Sequence, residues 1–346
     1  MSFMLLKPAV GNYTERRFER PQILLKRSSV MKPFIIVCDG LDKILFEELS
    51  ANQNLSVHPK SKLTLDELKL LLPKANALVV RSATQVNAEL LALAPNLKYV
   101  VRAGEGTDNI DKKACAEKGV KVANTPGANN NSAAEHTIAL MFTLLRKTAW
   151  AHLSMTKGEW NKAAFEGNEL WKKTIGIIGF GRIGQIIATR LSGFEPSVLY
   201  YDPLVKDGKF PSYVTKAENP DTIFQKSDII TVHVPLVEAT KNLITAKYLQ
   251  MMKPSAILLN VARGKIVNEE DLTKALTEKR IRGAALDVFS TEPLPADSKL
   301  RALTNMVLTP HLGASTEEAQ FRVGEMSVHQ INEFFLHNKL LNEVKA

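Results

Sequence analysis

Three short segments each carry a side chain suited to acid–base or anion chemistry. Asn260-Val-Ala-Arg263-Gly264 follows one apolar run, Asp287-Val-Phe-Ser-Thr-Glu292-Pro293 follows the next, and Thr309-Pro310-His311-Leu-Gly313 follows the last. The planar guanidinium of Arg263 matches a carboxylate. The neutral imidazole of His311 can take a proton near neutral pH. Glu292 can hold the other imidazole nitrogen, fix its tautomer and favour the imidazolium that forms. A carboxylate anchor, a base and an acid that orients the base are what oxidation of a 2-hydroxy acid needs, apart from a hydride acceptor. Each group alone also has an ordinary reading. Arg263 fits a helix cap or surface ion pair, His311 a satisfied turn histidine, and Glu292 a solvated loop acid. Their joint placement after successive strand-like runs favours the chemical reading.

A hydride acceptor has a matching site. Thr174-Ile-Gly-Ile-Ile-Gly179-Phe-Gly181-Arg-Ile-Gly184 ends an apolar run and opens a helical pattern, and the next strand-like run stops at Asp202. Gly179 permits a tight turn, Gly181 lets backbone approach a pyrophosphate at a helix N-terminus, and Gly184 allows close helix–strand packing. Asp202 can accept from the adenosine ribose hydroxyls and repels a 2′-phosphate, so NAD is expected over NADP. The competing reading is a structural Gly-rich turn beside a surface Asp.

The elements that must position these groups follow a βαβα rhythm. Strands are expected at Phe34–Val37, Leu55–His58, Ala77–Val80 and Leu97–Val101, with helices at Leu41–Leu49 and Leu65–Leu72, the latter ended by Pro73. A second series has strands at Thr174–Gly179, Val198–Tyr201, Ile229–Val232, Ile257–Asn260, Ala284–Asp287 and Val307–Thr309, with helices at Ile183–Leu191 and Glu269–Lys279. The pattern predicts an α/β protein of two open, doubly wound parallel sheets. Between the series, Ser132–Trp150 reads as one helix, nearly apolar over Thr137–Leu145. It is either a core helix or the seam of a dimer.

Composition narrows the field. The 346 residues suit two domains. A 45% hydrophobic share with 23% charged residues excludes wholesale disorder. No apolar run reaches the ~18 residues that span a bilayer. Two cysteines, Cys38 and Cys115, supply no disulfide framework, which points to a reducing compartment and a cytoplasmic protein. The net charge of +9 is concentrated in the first 32 residues, where seven Lys or Arg face two Glu. The remainder is only mildly basic and has no Lys/Arg run with interleaved aromatics, so no nucleic-acid partner is expected. No metal site is expected either. Residues 1–32 form a basic N-terminal extension, read as a flexible arm, a mitochondrial transit peptide or the result of an alternative start at Met31.

The chain resembles the D-isomer-specific 2-hydroxyacid dehydrogenases over about residues 33–335. The resemblance lies in Val79-Val-Arg-Ser-Ala-Thr84, Arg102-Ala-Gly104, Asp108-Asn-Ile-Asp111, Asn124-Thr-Pro-Gly-Ala-Asn129, Gly179–Gly184, Val232-His-Val-Pro-Leu236, Val261-Ala-Arg-Gly264, Ala285-Leu-Asp-Val-Phe289 and Pro310-His-Leu-Gly-Ala-Ser315. It implies that Arg263, Glu292 and His311 are catalytic and that Arg81, Ser82, Gly104 and Asn129 bind substrate. It further implies NAD contacts from Gly179, Gly181, Arg182, Ile183, Gly184, Asp202, His233, Val234, Pro235, Val261, Ala262, Arg263, Asp287, His311, Gly313 and Ala314. The fold implied is a Rossmann-type nucleotide domain over 126–310 and a flavodoxin-like substrate domain formed jointly by 33–125 and 311–346. A small-molecule substrate and a homodimer are expected, with no membrane partner.

Arg81-Ser82 and Pro310–Ser315 look like the phosphoglycerate branch of that family. This branch oxidises 3-phospho-D-glycerate to 3-phosphooxypyruvate at the start of L-serine biosynthesis. A hydroxypyruvate or glyoxylate reductase is the alternative within the family, and an NAD-sensing corepressor-like protein the alternative outside it. Glu105, set between Gly104 and Gly106, departs from the uncharged residue often found there. It would oppose an anionic substrate unless it points away. The order Gly127-Ala-Asn-Asn-Asn131 is also unusual. Longer phosphoglycerate dehydrogenases append regulatory domains, and the sequence to Ala346 leaves no room for one, so little response to serine is expected.

Overall fold

A computed structural model describes residues 31–206 and 208–345. The expected arm over residues 1–32 lies, for residues 1–30, outside the described residues. The first sheet contains β1 (Phe34–Val37), β2 (Ser56–Val57), β3 (Ala77–Val80), β4 (Tyr99–Arg102) and β5 (Lys121–Asn124), all parallel, in the order β2-β1-β3-β4-β5. Helices α1 (Lys43–Ala51), α2 (Leu65–Leu71), α3 (Ala88–Ala92) and α4 (Lys112–Glu117) connect them. β3 is buried throughout, so it reads as a continuous apolar run, as a strand covered on both faces should. Side chains cap the helix starts. Asp42 accepts from the Ile44 and Leu45 N–H groups, and Thr64 and Glu67 form a reciprocal capping box. The strand order reverses at the β1/β3 boundary. The residues leaving β1, β3 and β4, including Asp39, Arg81 and Arg102, therefore gather at the carboxyl edge, where open α/β sheets bind ligands.

α5 (Asn130–Arg146) and α6 (Thr148–Thr156) lead to the second sheet. Its strands are β6 (Thr174–Ile178), β7 (Ser197–Tyr201), β8 (Val214–Lys216), β9 (Ile229–Val232), β10 (Ile257–Asn260), β11 (Gly283–Leu286) and β12 (Met306–Leu308), in the order β12-β11-β10-β9-β6-β7-β8. Every pairing is parallel. Helices α7 (Arg182–Arg190), α8 (Pro220–Lys226), α9 (Ala246–Met251) and α10 (Glu269–Thr277) cover it. The reversal lies between β6 and β9, beside the glycine loop that follows β6. The doubly wound expectation holds for both sheets.

The structure refines several expected elements. The single helix expected at Ser132–Trp150 is two, because Lys147 adopts a left-handed conformation (φ 52°) that ends α5 and redirects the chain into α6. Leu140, Met141, Leu144 and Leu145 of α5 pack with Ile175 and Ile177 of β6, so α5 is a core helix of its own chain. Pro73 does follow α2, but inside a 3₁₀ turn, Leu72–Lys74. β5 and β8 were not expected. The long helix α11 (Glu317–His337) returns to the first sheet. There Phe334 stacks on Tyr99 at 4.2 Å between ring centroids, and Gln330 donates to the Asn124 carbonyl at 2.8 Å. No helix among the described residues is long and apolar enough to cross a membrane.

Candidate active site

The glycine loop forms a cradle at the second sheet's switch point. Gly179 has φ +90°, and a Cβ there would lie 2.7 Å from the His233 carbonyl and 2.9 Å from Val234. A Cβ on Gly184 would lie 2.6 Å from the Gly179 oxygen, so this glycine seats α7 against its strand. A Cβ on Gly181 would meet nothing within 4 Å beyond its own chain neighbours, and as N-cap of α7 it offers no side chain. The first-turn N–H groups, next to Arg182 and Ile183, are thus open to an anion such as a pyrophosphate. Asp202 leaves β7 and accepts from the Phe180 N–H at 2.8 Å and the Leu204 N–H at 2.9 Å, which pins its carboxylate beside the loop. His233 bonds Thr231 Oγ1 at 2.8 Å, and burial pushes its pKa down to about 3, so it lines the cradle as a neutral imidazole. Pro235 accepts from Thr240 at 2.6 Å, which braces the same wall. The residues present fit a dinucleotide.

His311 and Glu292 meet as expected. Nδ1 of His311 donates to Glu292 Oε2 at 2.7 Å, and Glu292 Oε1 accepts from the Phe289 N–H at 3.0 Å. Burial acts to raise the Glu292 pKa, but these two hydrogen bonds outweigh it and hold the carboxyl below its ordinary range. Nε2 of His311 has no partner among the described residues, so it is the nitrogen left for a substrate. The turn carrying His311 is fixed from below by Asp287, which is fully buried. Asp287 accepts from the Leu312 N–H (2.7 Å), the Gly313 N–H (2.9 Å), the Thr309 hydroxyl (2.6 Å) and His136 Nε2 (3.2 Å). Gly313 is packed between Asp287 and Val261, and the Ala314 carbonyl accepts from Gln320 at 2.6 Å.

Arg263 leaves β10 on a turn laced by buried Asn260, which accepts from the Ala262 N–H at 3.0 Å and donates to the Arg263 carbonyl at 2.8 Å. Its guanidinium crosses to the first lobe, where Nε donates to Asp108 Oδ2 at 2.8 Å. Arg81 and Arg102 come from the first sheet, and both Arg81 and Arg263 repel Arg102. Gly104 and Gly106 leave room for these cations: a Cβ on Gly104 would overlap the Arg102 guanidinium, and one on Gly106 would overlap that of Arg263. Glu105 pairs with none of Arg81, Arg102 and Arg263 among the described residues. It accepts from the Gly127 N–H at 3.3 Å and pairs with Arg182 at 3.4 Å, linking the first lobe to the glycine loop.

Ser82 is exposed, and neither its side chain nor that of Asn129 makes a hydrogen bond among the described residues. Sequence reasoning assigned no role to Arg102, Asp108, Asn260 or His136. Arg102 falls just past the strand expected at Leu97–Val101, and His136 reads as one polar residue in a largely apolar helix. Only three-dimensional neighbours reveal what they do.

Residues 138–313 match the family model for the D-isomer specific 2-hydroxyacid dehydrogenase, NAD binding domain. A hydroxypyruvate reductase of Thermotoga maritima is 44% identical over 299 residues, which is 85% of this chain and 96% of that protein. A D-3-phosphoglycerate dehydrogenase of Mycobacterium tuberculosis is also 44% identical, over 259 residues, 75% of this chain but 49% of that protein. This chain spans about half the length of such phosphoglycerate dehydrogenase relatives. Among solved structures, an NAD-dependent formate dehydrogenase from Staphylococcus aureus in complex with NAD superposes with a TM-score of 0.79 at 30% identity, covering 91% of this chain and 99% of that one. Added to the glycine-loop cradle and the Glu292–His311 pair, these likenesses make the chain a member of the D-isomer-specific 2-hydroxyacid dehydrogenases, and hence an NAD-dependent oxidoreductase.

Proposed function

We propose that the chain oxidises 3-phospho-D-glycerate to 3-phosphooxypyruvate with NAD, the reaction that opens L-serine biosynthesis. The observation that carries this reading is Arg81. Its side chain is half-buried where the chain leaves β3, it makes no hydrogen bond or close ion pair among the described residues and is attracted only at longer range by Asp39, while Arg263 stands on the other lobe. A substrate with a carboxylate at one end and a phosphoryl group at the other suits two separated guanidiniums.

In this mechanism Arg263 binds the carboxylate, taking it in place of or beside Asp108. His311 Nε2 accepts the hydroxyl proton, and Glu292 steadies the imidazolium through Nδ1. The nicotinamide of an NAD held by the glycine loop and Asp202 would supply the acceptor for the hydride on the carbon that bears the hydroxyl. Asp287, at the floor of the site, keeps the His311 turn in place. The substrate side comprises residues 33–125 and 311–346 and the nucleotide side 126–310, and closure of the two would exclude water from the reacting carbon. Free, buried Cys38 and Cys115 suit a reducing compartment such as the cytoplasm. The second reading, a hydroxypyruvate reductase, is favoured by the Thermotoga relative, which this chain matches over almost its whole length.

The two readings part on one experiment. NADH formation is measured from 3-phospho-D-glycerate, D-glycerate and D-lactate side by side. A kcat/KM highest for the phosphorylated acid supports the proposal. A higher value for D-glycerate overturns it in favour of the second reading.

A further inference from the structure

The first lobe holds a guanidinium that the chemistry above does not use. Arg102 closes β4 and folds back beneath the loop that follows, where a Cβ on Gly104 would overlap its Nη1. Nη1 reaches only the neighbouring Ala103 carbonyl, at 3.2 Å, and Nε is buried with no hydrogen-bond partner. Burial first, then repulsion from Arg263 and Arg81, pull the Arg102 pKa down to about 10, against the attraction of Asp108 and Asp39.

Neither acid makes a hydrogen bond or close ion pair with Arg102. Asp108 is engaged by Arg263 Nε. Asp39 is engaged by the Arg81 N–H at 2.6 Å, the Thr84 N–H at 3.1 Å and the Thr84 hydroxyl at 2.6 Å. A half-buried cation with an orphaned donor, set against two like charges, destabilises the empty protein. Such local frustration is typical of a group waiting for a ligand of opposite charge.

We propose that Arg102 is a substrate-binding residue which, with Arg81, seats a phosphoryl dianion at the far end of the hydroxy acid. The partner that its Nη2 lacks is a phosphoryl oxygen, since Nη1 already serves the Ala103 carbonyl and Nε is buried. This assignment rests on the phosphorylated-substrate reading and deepens it: two guanidiniums of the first lobe share the dianion, while Arg263 keeps the carboxylate. Gly104 acts by leaving room for the Arg102 guanidinium.

The test compares the unmodified chain with Arg102→Met and Arg102→Lys. Four readouts are taken: Tm without ligand, the rise in Tm caused by inorganic phosphate, and the KM values for 3-phospho-D-glycerate and D-glycerate at saturating NAD. Arg102→Met should melt no earlier than the parent, because it removes an orphaned donor and a like charge. It should lose most of the phosphate-induced rise. Its KM for 3-phospho-D-glycerate should increase about ten- to a hundredfold, the effect of losing a charge-assisted contact, with D-glycerate nearly unaffected. Arg102→Lys should recover part of the loss, since it restores charge without the planar fork.

A lower Tm with equal damage to both substrates would make Arg102 a structural prop of the loop and overturn the assignment. Retention of the phosphate-induced rise by Arg102→Met would do the same. If the unmodified chain ignores 3-phospho-D-glycerate but inorganic phosphate still stabilises it through Arg102, the proposed reaction fails while the anion seat stands.

Discussion

His311 is half-exposed on a left-handed turn (φ 56°), with one nitrogen given to Glu292 and the other to the cleft. That division of labour predicts a large effect on turnover and a small one on cofactor binding. His311→Gln should lower kcat by about 10²–10⁴-fold, the range for a positioned acid–base group, while NADH affinity, read by fluorescence quenching, stays close to the parent value. Full retention of turnover would remove His311 from the mechanism. The arginines divide by substrate. Arg81→Ala should cost at least about tenfold in kcat/KM for 3-phospho-D-glycerate and little for a short unphosphorylated hydroxy acid, whereas Arg263→Ala should harm both. Equal damage from the two variants on both substrates would mean that Arg81 only stabilises its loop.

At the scale of elements, the His311 turn after β12 depends on a carboxylate that follows β11. Burial tends to raise the Asp287 pKa, but bonds from His136, Thr309 and the Leu312 N–H outweigh it and lower the value. A carboxyl depressed in the folded state adds stability above its unfolded pKa of about 3.9 and loses it as pH falls through the lower folded value. Asp287→Asn should therefore destabilise by about 1–3 kcal/mol at pH 7, and the gap in Tm should close below about pH 4. A gap unchanged down to pH 3 would mean that shape rather than charge matters at this position. The long buried strands were legible because β1, β3, β6, β9 and β10 are nearly unbroken apolar runs. β8 was not, since Val214–Lys216 is a three-residue edge with two exposed side chains. β5 begins with Lys121 and ends with Asn124, and this hid its apolar pair. The glycine loop and the Glu292–His311 pair were legible because their chemistry dictates residue type and spacing locally. The Arg102 environment and the His136–Asp287 contact were not, because they join segments far apart in the chain.

For the whole molecule, α5 buries one face within its own chain, and apolar surface stands exposed on the segment that follows it. Leu153, Met155, Trp160 and Trp171 are each more than half exposed, on α6 and the segment after it. Sedimentation should give about twice the chain mass, and Leu153→Glu should shift it towards one chain by removing part of an apolar contact and burying a charge. A single-chain mass for the unmodified protein would rule the homodimer out. The two thiols bear on motion at this same scale. Cys38 and Cys115 both lie in the first lobe, 1% and 0% exposed, and burial raises both pKa values, that of Cys115 to about 11. Thiolates, not thiols, react with alkylating reagents. The intact chain should therefore resist iodoacetamide at neutral pH, and whatever labelling occurs must await an excursion that uncovers the first sheet. The alkylation rate becomes a clock for one lobe alone, blind to the other, and a ligand that draws the cleft shut should slow it.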